Sequence, residues 1–216
     1  MKRKSIAVLG LGQFGMTVAK ELAALNHEVL GVDIDSEIVQ RISPYITHAV
    51  IADTTDEEAL RSLSLKQFDA VVIAIGYNTQ ANLLTTMLVK ELDAAYIVAK
   101  AENHLQGKML KKMGVDMVIY PDNDMAKRLA QSLIREYVVD YLQLSSSIGL
   151  VEIETPNFLI GKTLIESELR EKFNLSVVAI RKGEEIQAPP KPNMPLTATD
   201  KLLIIGHNAD LDALEQ

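Results

Sequence analysis

Residues 5–15 read Ser5-Ile6-Ala7-Val8-Leu9-Gly10-Leu11-Gly12-Gln13-Phe14-Gly15, and residues 28–33 read Glu28-Val29-Leu30-Gly31-Val32-Asp33. The first stretch is a short apolar strand running into G-x-G-x-x-G. Helical spacing of Val18, Leu22 and Leu25 follows, then a second strand that ends in an acid about 20 residues past the glycines. This is the pattern of a βαβ unit that holds a dinucleotide. Gly10 permits the tight turn. Gly12 lets a phosphate approach the backbone, and Gly15 lets the helix lie close to the sheet. The free N–H groups and positive dipole end at the start of the helix suit phosphate. Asp33 suits ribose hydroxyls and repels a 2′-phosphate.

Working outward, the alternation of strand and helix continues. A helix is expected through Ile38, Val39 and Ile42, then a strand at His48–Ala52. A capping box is read at Thr55-Asp56-Glu57-Glu58. The run Ala70–Ile75 reads as a buried parallel strand. A helix over Asn78–Leu92 is expected to turn Leu83, Leu84, Met87 and Leu88 inward. Tyr96–Ala99, a helix at Leu105–Met113 closed by Gly114, and Met117–Tyr120 complete the set. The fold class is therefore α/β, a Rossmann-like doubly wound parallel sheet. After Pro121-Asp122-Asn123-Asp124 a long helix is expected over about 124–142, with a stripe of Leu129, Leu133, Ile134, Tyr137, Val138, Tyr141 and Leu142. That stripe suits packing on a second copy or on the chain's own core. Ser145-Ser146-Ser147 reads as a linker. Beyond it, residues 148–216 read as a small α+β domain. It has a half-exposed strand at Leu150–Glu154 and a helix at Thr163–Phe173 with a Thr163–Glu166 capping box. A strand at Ser176–Ile180, a proline-rich loop and a strand at Lys201–Ile205 follow. The first domain then covers 1–143.

Composition removes several function classes. The chain has 216 residues, is 48% hydrophobic and carries a net charge of −7. The acidic balance argues against a nucleic-acid surface and against anionic lipid. With no cysteine, disulfide and thiolate chemistry drop out, which suits the cytoplasm. The basic start Met1-Lys2-Arg3-Lys4 leads into a strand rather than a signal peptide. No run approaches the roughly 20 apolar residues of a membrane span. His27, His48, His104 and His207 show no metal-ligand spacing.

Over nearly its whole length the chain resembles the cytoplasmic regulatory subunits of bacterial potassium transporters of the Ktr and Trk type, built from RCK (KTN) domains. The matching stretches are Gly10–Gly15, Val32–Asp35, Thr47–Asp53, Val72–Gly76, Ala99–His104, Met113–Asp116 and Tyr120–Met125. Leu169–Phe173 with Val177–Ile180 matches in the small domain. The resemblance implies a non-enzymatic, nucleotide-binding gating subunit that controls potassium flux. Its partners would be a second copy in a homodimer, an octameric ring of such dimers, and an integral membrane potassium-translocating subunit. It would be cytoplasmic and peripheral to the membrane through that partner. The regulatory ligands implied are ATP and ADP, or NAD and NADH. A divalent cation (Mg or Ca) and cyclic di-AMP are further ligands of the family.

By position, Gly10, Gly12, Gln13, Phe14 and Gly15 would form the phosphate loop. Asp33 would take the ribose, with Asp35 beside it. Asp53 and Thr54 would sit near adenine, and Lys100 near the phosphates. Asp122 matches an acid that helps bind the cation. Leu169, Arg170, Asn174, Leu175 and Pro189 stand where cyclic di-AMP would bind. Gln13 replaces an arginine common in Ktr-type members and is closer to the Trk type. Plainer readings stand beside these. Asp53 suits a turn, Asp122 and Asp124 suit helix capping, and Lys100 and Arg170 suit solvated surface positions. The alternative function is an NAD(P)-dependent oxidoreductase, for which Tyr77 and Lys100 are the acid/base candidates near the strand ends.

Overall fold

The computed structural model describes residues 2–134, 138–145 and 147–214. It divides into two compact units, Met1–Asn123 and Asp124–Gln216. The first holds six strands: β1 Ser5–Leu9, β2 Glu28–Asp33, β3 His48–Ile51, β4 Ala70–Ile73, β5 Ile97–Lys100 and β6 Met117–Ile119. They pair in the order β3-β2-β1-β4-β5-β6, all parallel. Strand order reverses between β1 and β4, the place where open α/β sheets bind ligands. The apolar runs are continuous because both sheet faces are covered. Ala7 and Leu9 join one core with Val32, Ile73, Ile97 and Leu110. Ile6 and Val8, pointing the other way, join Leu11, Ala19, Val29 and Ile42.

The covering helices are α1 Gln13–Ala24, α2 Ser36–Ile42, α3 Glu57–Ser62, α4 Thr79–Glu91 and α5 His104–Lys112. Side chains cap four of the five. Asp35 caps α2, Asp56 caps α3, Asn78 caps α4 and Asn103 caps α5. In α1 the N-cap is Gly12, and no side chain takes its first amides. The expected capping box at Thr55 is not formed. Asp56 accepts from Ala59 N–H instead, and Thr55 bonds to Asp53.

Two expectations of burial are corrected. Leu25 is exposed, and α1 buries Gly15 and Ala19. On α4, Leu84 and Met87 are exposed, while Asn82, Thr85, Thr86 and Val89 are buried beside Leu88. Polar groups are buried there on hydrogen bonds to the main chain, although Asn82 Oδ1 has no partner among the described residues. Asn82 Nδ2 donates to the Ile75 and Lys100 carbonyls at 2.7 and 3.0 Å. Thr85 bonds Thr54, and Thr86 Oγ1 donates back to Asn82 O. A count of apolar residues at helical spacing does not register this.

The helix expected over 124–142 is two elements. α6 runs Pro121–Ile134, and β7 runs Val138–Gln143 and pairs antiparallel with β8, Ile148–Glu154. Tyr137 of the expected stripe lies outside the described residues. Leu129 and Leu133 are exposed, so no buried stripe of this unit includes them. Further on, period two replaces 3.6, with Tyr141 buried and Leu142 exposed. Tyr141 lies against Gly149, where a Cβ would come within 2.8 Å of its ring, and its hydroxyl meets Asn208 Oδ1 at 3.1 Å. The β-branched and aromatic residues at 138–141 favour a strand once a partner is available. Of the serine run expected as a linker, Ser145 and Ser147 lie in the hairpin between β7 and β8, and Ser146 lies outside the described residues. Ser145 Oγ accepts from the Ser147 and Ile148 amides.

The second sheet has the order β10-β9-β11-β8-β7, where β9 is Ser176–Lys182, β10 is Glu185–Gln187 and β11 is Asp200–His207. Val151, Ile153, Ile180, Leu202 and Ile204 form its core with Leu159, Leu196 and Leu211. The expected helix at 163–173 is broken at Glu168, whose φ is +51. It forms α7 Leu164–Ser167 and α8 Leu169–Phe173, with the Thr163–Glu166 capping box present. A last helix, α9, covers Asn208–Ala213. Asp200 opens β11 and is buried. Burial pushes its carboxyl up, but the Thr197 amide and the Lys182 ammonium, 3.0 Å away, hold it below the usual carboxylate range.

Candidate functional site

β1 ends at Leu9 and the chain turns at Gly10, whose φ of +90 favours glycine. Gly10 N–H continues the ladder by donating to Val32 O at 2.8 Å, and Ala74 N–H donates to Leu9 O. α1 then starts directly over the sheet. A Cβ on Gly15 would lie 1.9 Å from the Gly10 carbonyl oxygen and 3.1 Å from Ala74 Cβ, so only glycine allows this approach. Gly12 is the opposite case: a Cβ there would meet nothing within 4 Å. Close packing does not require a glycine at position 12. The backbone there stands open to approach.

Asp33 ends β2 beside this loop. Its Oδ2 accepts from Leu11 N–H at 2.6 Å and its Oδ1 from Asp35 N–H at 3.0 Å. The carboxylate therefore ties the glycine turn to the next loop. Each of its oxygens keeps a second lone pair.

A cleft of about 580 Å³ opens over the C-terminal ends of β1–β4. The loop glycines 10 and 12 and Asp33 form one wall, with Ile34 beside them. Asp53 and Thr54, after β3, form the second. Residues after β4, from Ala74 to Asn78, form the third. Asp53 Oδ1 accepts from the Thr55 hydroxyl at 2.7 Å and the Thr55 amide at 2.8 Å, and these two bonds hold its carboxyl below the usual range. Thr54 is buried, its hydroxyl 3.0 Å from that of Thr85.

The structure thus brings Gly10, Gly12, Asp33, Asp53 and Thr54 to one cleft. Gln13 and Phe14 open α1 next to it. Asp35 does not line the cleft; its carboxylate caps α2 through the Glu37 and Ile38 amides. Lys100 does not line it either, but stands behind Gly76 and pairs with Asp122 at 3.0 Å. Among the described residues no group of three or more metal-ligating side chains occurs, and Asp122 faces this lysine.

Sequence reasoning named Tyr77 only as an acid/base candidate of the alternative reading, and missed Ile75, Gly76 and Asn78 of the third wall and the buried Asn82 beneath it. The signal was available. These residues follow the strand that flanks β1 at the reversal of order, where ligands of open sheets sit.

In the second unit, Leu169, Arg170 and Leu175 line a cleft of about 420 Å³. Leu169 and Leu175 are core residues. Asn174 and Pro189 do not line this cleft. Asn174 ends α8 with a φ of +55 and donates to Asp210, and Pro189 follows a cis peptide bond.

Residues 6–121 match the TrkA-N domain and residues 150–216 the TrkA-C domain. Over 214 residues the chain is 40% identical to the "Ktr system potassium uptake protein C" of Bacillus subtilis, covering 99% of this chain and 97% of that one. The chain belongs to the TrkA family. A second relative of this TrkA-family chain is the "Ktr system potassium uptake protein A" of Bacillus subtilis. It is 42% identical over 215 residues, covering 100% and 97% of the two chains. The protein of the same name from Vibrio alginolyticus is 33% identical, covering 94% and 92%. Among solved structures, the "GsuK Channel" superposes with a TM-score of 0.72 at 20% identity, covering 99% of this chain and 39% of that one. The "GsuK channel bound to NAD" gives 0.70 at the same identity and coverage. These likenesses concern the fold. Among the described residues no helix of this TrkA-family chain is long and apolar enough to cross a membrane.

Proposed function

We propose that this chain is a nucleotide-responsive regulatory subunit of a bacterial potassium uptake system, and not an enzyme. The observation that carries the nucleotide part is the start of α1. Its amides have no side-chain cap, and the space around Gly12 is open. Phosphates of ATP, ADP, NAD or NADH sit on those amides, where the helix dipole favours negative charge. The free lone pairs of Asp33 accept from ribose hydroxyls. Its charge disfavours a 2′-phosphate. Ile34 and the Asp53–Thr54 wall flank the base. The uncharged Gln13 at the loop does not by itself select a third phosphate.

The potassium part rests on the full-length likeness to the two Bacillus subtilis Ktr proteins. The chain acts on a membrane potassium-translocating partner, as a homodimer assembled into an octameric ring. Exposed apolar side chains such as Leu105, Met109 and Met117 are the kind of surface an assembly covers. The membrane link runs through the partner. Ligands that fit one arrangement better shift the ring between states. Cyclic di-AMP at the second unit and a divalent cation near Asp122 are further ligands of this reading. Hydride-transfer chemistry gains nothing from the site. The Tyr77 side chain stands fully exposed and Lys100 is held in an ion pair.

The test is potassium uptake at low external potassium by host cells deleted for this chain. Uptake slows, and the wild-type chain restores it while a Gly12→Ala chain does not. Unchanged uptake in the deleted cells overturns the proposal.

A further inference from the structure

Within reach of the cleft, the walls carry two carboxylates, Asp33 and Asp53, and no lysine or arginine. Phosphates held on the α1 amides beside these carboxylates gain from a nearby cation. Lys100 is placed to serve: a Cβ on Gly76, a residue of the third wall, would lie 3.5 Å from Lys100 Nζ. The ammonium also stands 6.0 Å from the Phe14 ring at the start of α1. The main chain at Lys100 is fixed by Asn82, which bonds the Lys100 and Ile75 carbonyls together. Its side chain is only 13% exposed.

Its present partner is Asp122, the second residue of α6, with a side chain 83% exposed. Glu102 is also close, its Oε1 3.8 Å from the same Cβ position on Gly76. Asp122 is the weaker claimant on Lys100. Its charge is well solvated without the lysine, whereas Lys100 is largely removed from water and needs a counter-anion. A phosphate at the loop offers more charge and more acceptor oxygens than one carboxylate.

We propose that Lys100 is shared between two anions, the phosphates of a nucleotide at the glycine loop and Asp122 at the head of α6, and that binding one weakens the hold on the other. This rests on the nucleotide reading given above. By linkage the coupling is reciprocal: a nucleotide loosens the Lys100–Asp122 pair by the factor by which that pair weakens nucleotide binding. α6 crosses from the first unit into the second in sequence. The pair is therefore the point at which ligand charge is felt by the connecting helix.

The test is calorimetric titration of the full chain with ADP, and with adenosine as the phosphate-free control. Asp122→Asn is expected to tighten ADP binding about three- to tenfold and to leave adenosine unchanged. In Lys100→Gln, ADP binding weakens, and adding Asp122→Asn to it brings no gain. An unchanged or weakened ADP affinity in Asp122→Asn overturns the proposal while leaving the nucleotide reading in place. So does a gain that persists without Lys100. If wild type binds none of ADP, ATP, NAD and NADH, the nucleotide reading falls and this proposal falls with it.

Discussion

Gly15→Ala is expected to lower the thermal midpoint of the first unit by roughly 10 °C. The added methyl would sit 1.9 Å from the Gly10 carbonyl oxygen. That oxygen is backbone, anchored because Gly10 N–H is part of the β1–β2 ladder, so it cannot swing aside. α1 must lift off the sheet instead. Overpacking of this kind costs about 1–3 kcal/mol, and more where the obstructing atom is fixed. Alanine returns about 1 kcal/mol of helix propensity. With the obstructing oxygen fixed, the steric term is at the high end, about 3–4 kcal/mol, leaving a net loss of about 2–3 kcal/mol. Nucleotide binding is lost as well, since the amides of α1 move with the helix. Thermal denaturation followed by circular dichroism measures the first effect. A midpoint within about 2 °C of wild type would contradict the close approach of α1 to Gly10.

Asp33→Ala is expected to destabilise the first unit by about 2–3 kcal/mol and to weaken adenine-nucleotide binding at least about tenfold. The stability loss follows from the 2.6 Å bond it accepts from Leu11 N–H and the 3.0 Å bond from Asp35 N–H. Leu11 is fully buried, so its amide is left without a partner, which is the expensive way to lose a hydrogen bond. Asp33→Asn keeps one acceptor oxygen for the buried Leu11 amide but sets its Nδ2 against the Asp35 amide, so it retains part of the stability while losing the charge that rejects a 2′-phosphate. Chemical denaturation and titration with NAD and its 2′-phosphorylated form separate the two roles. Wild-type stability in Asp33→Ala would mean that the carboxylate does not close the loop.

The features legible in the sequence are those with a local cause. The six parallel strands follow from unbroken apolar runs, and the loop from three glycines at fixed spacing with an acid beyond them. Long-range pairing was not legible. Val138–Gln143 carries residues that fit a helical stripe as well as a strand. Its outcome was decided by β8, which offers an edge and, at Gly149, room for the Tyr141 ring. The buried face of α4 was misjudged for a related reason. Asn82 and Thr85 are buried because carbonyls of residues distant in sequence accept from them. Of the site, Gly10, Gly12 and Asp33 were readable from motif spacing, and Asp53 and Thr54 from the resemblance. Asp35 lies beside Asp33, as expected, and its carboxylate also caps α2, a second role that looks the same in sequence. The Lys100–Asp122 pair joins a strand end to a helix start 22 residues apart, which no spacing rule connects.

The most direct measurement is calorimetric titration of the full chain with ATP, ADP, NAD and NADH, run on wild type and on Gly12→Ala. A methyl at position 12 meets nothing within 4 Å and leaves φ at an ordinary −60, so the fold and its thermal midpoint stay unchanged. The methyl does occupy the path by which a phosphate reaches the α1 amides. Wild type binds at least one of the four nucleotides, and Gly12→Ala binds it at least about tenfold more weakly. Equal affinity in the two proteins, or no binding by wild type, would contradict a nucleotide site at the glycine loop.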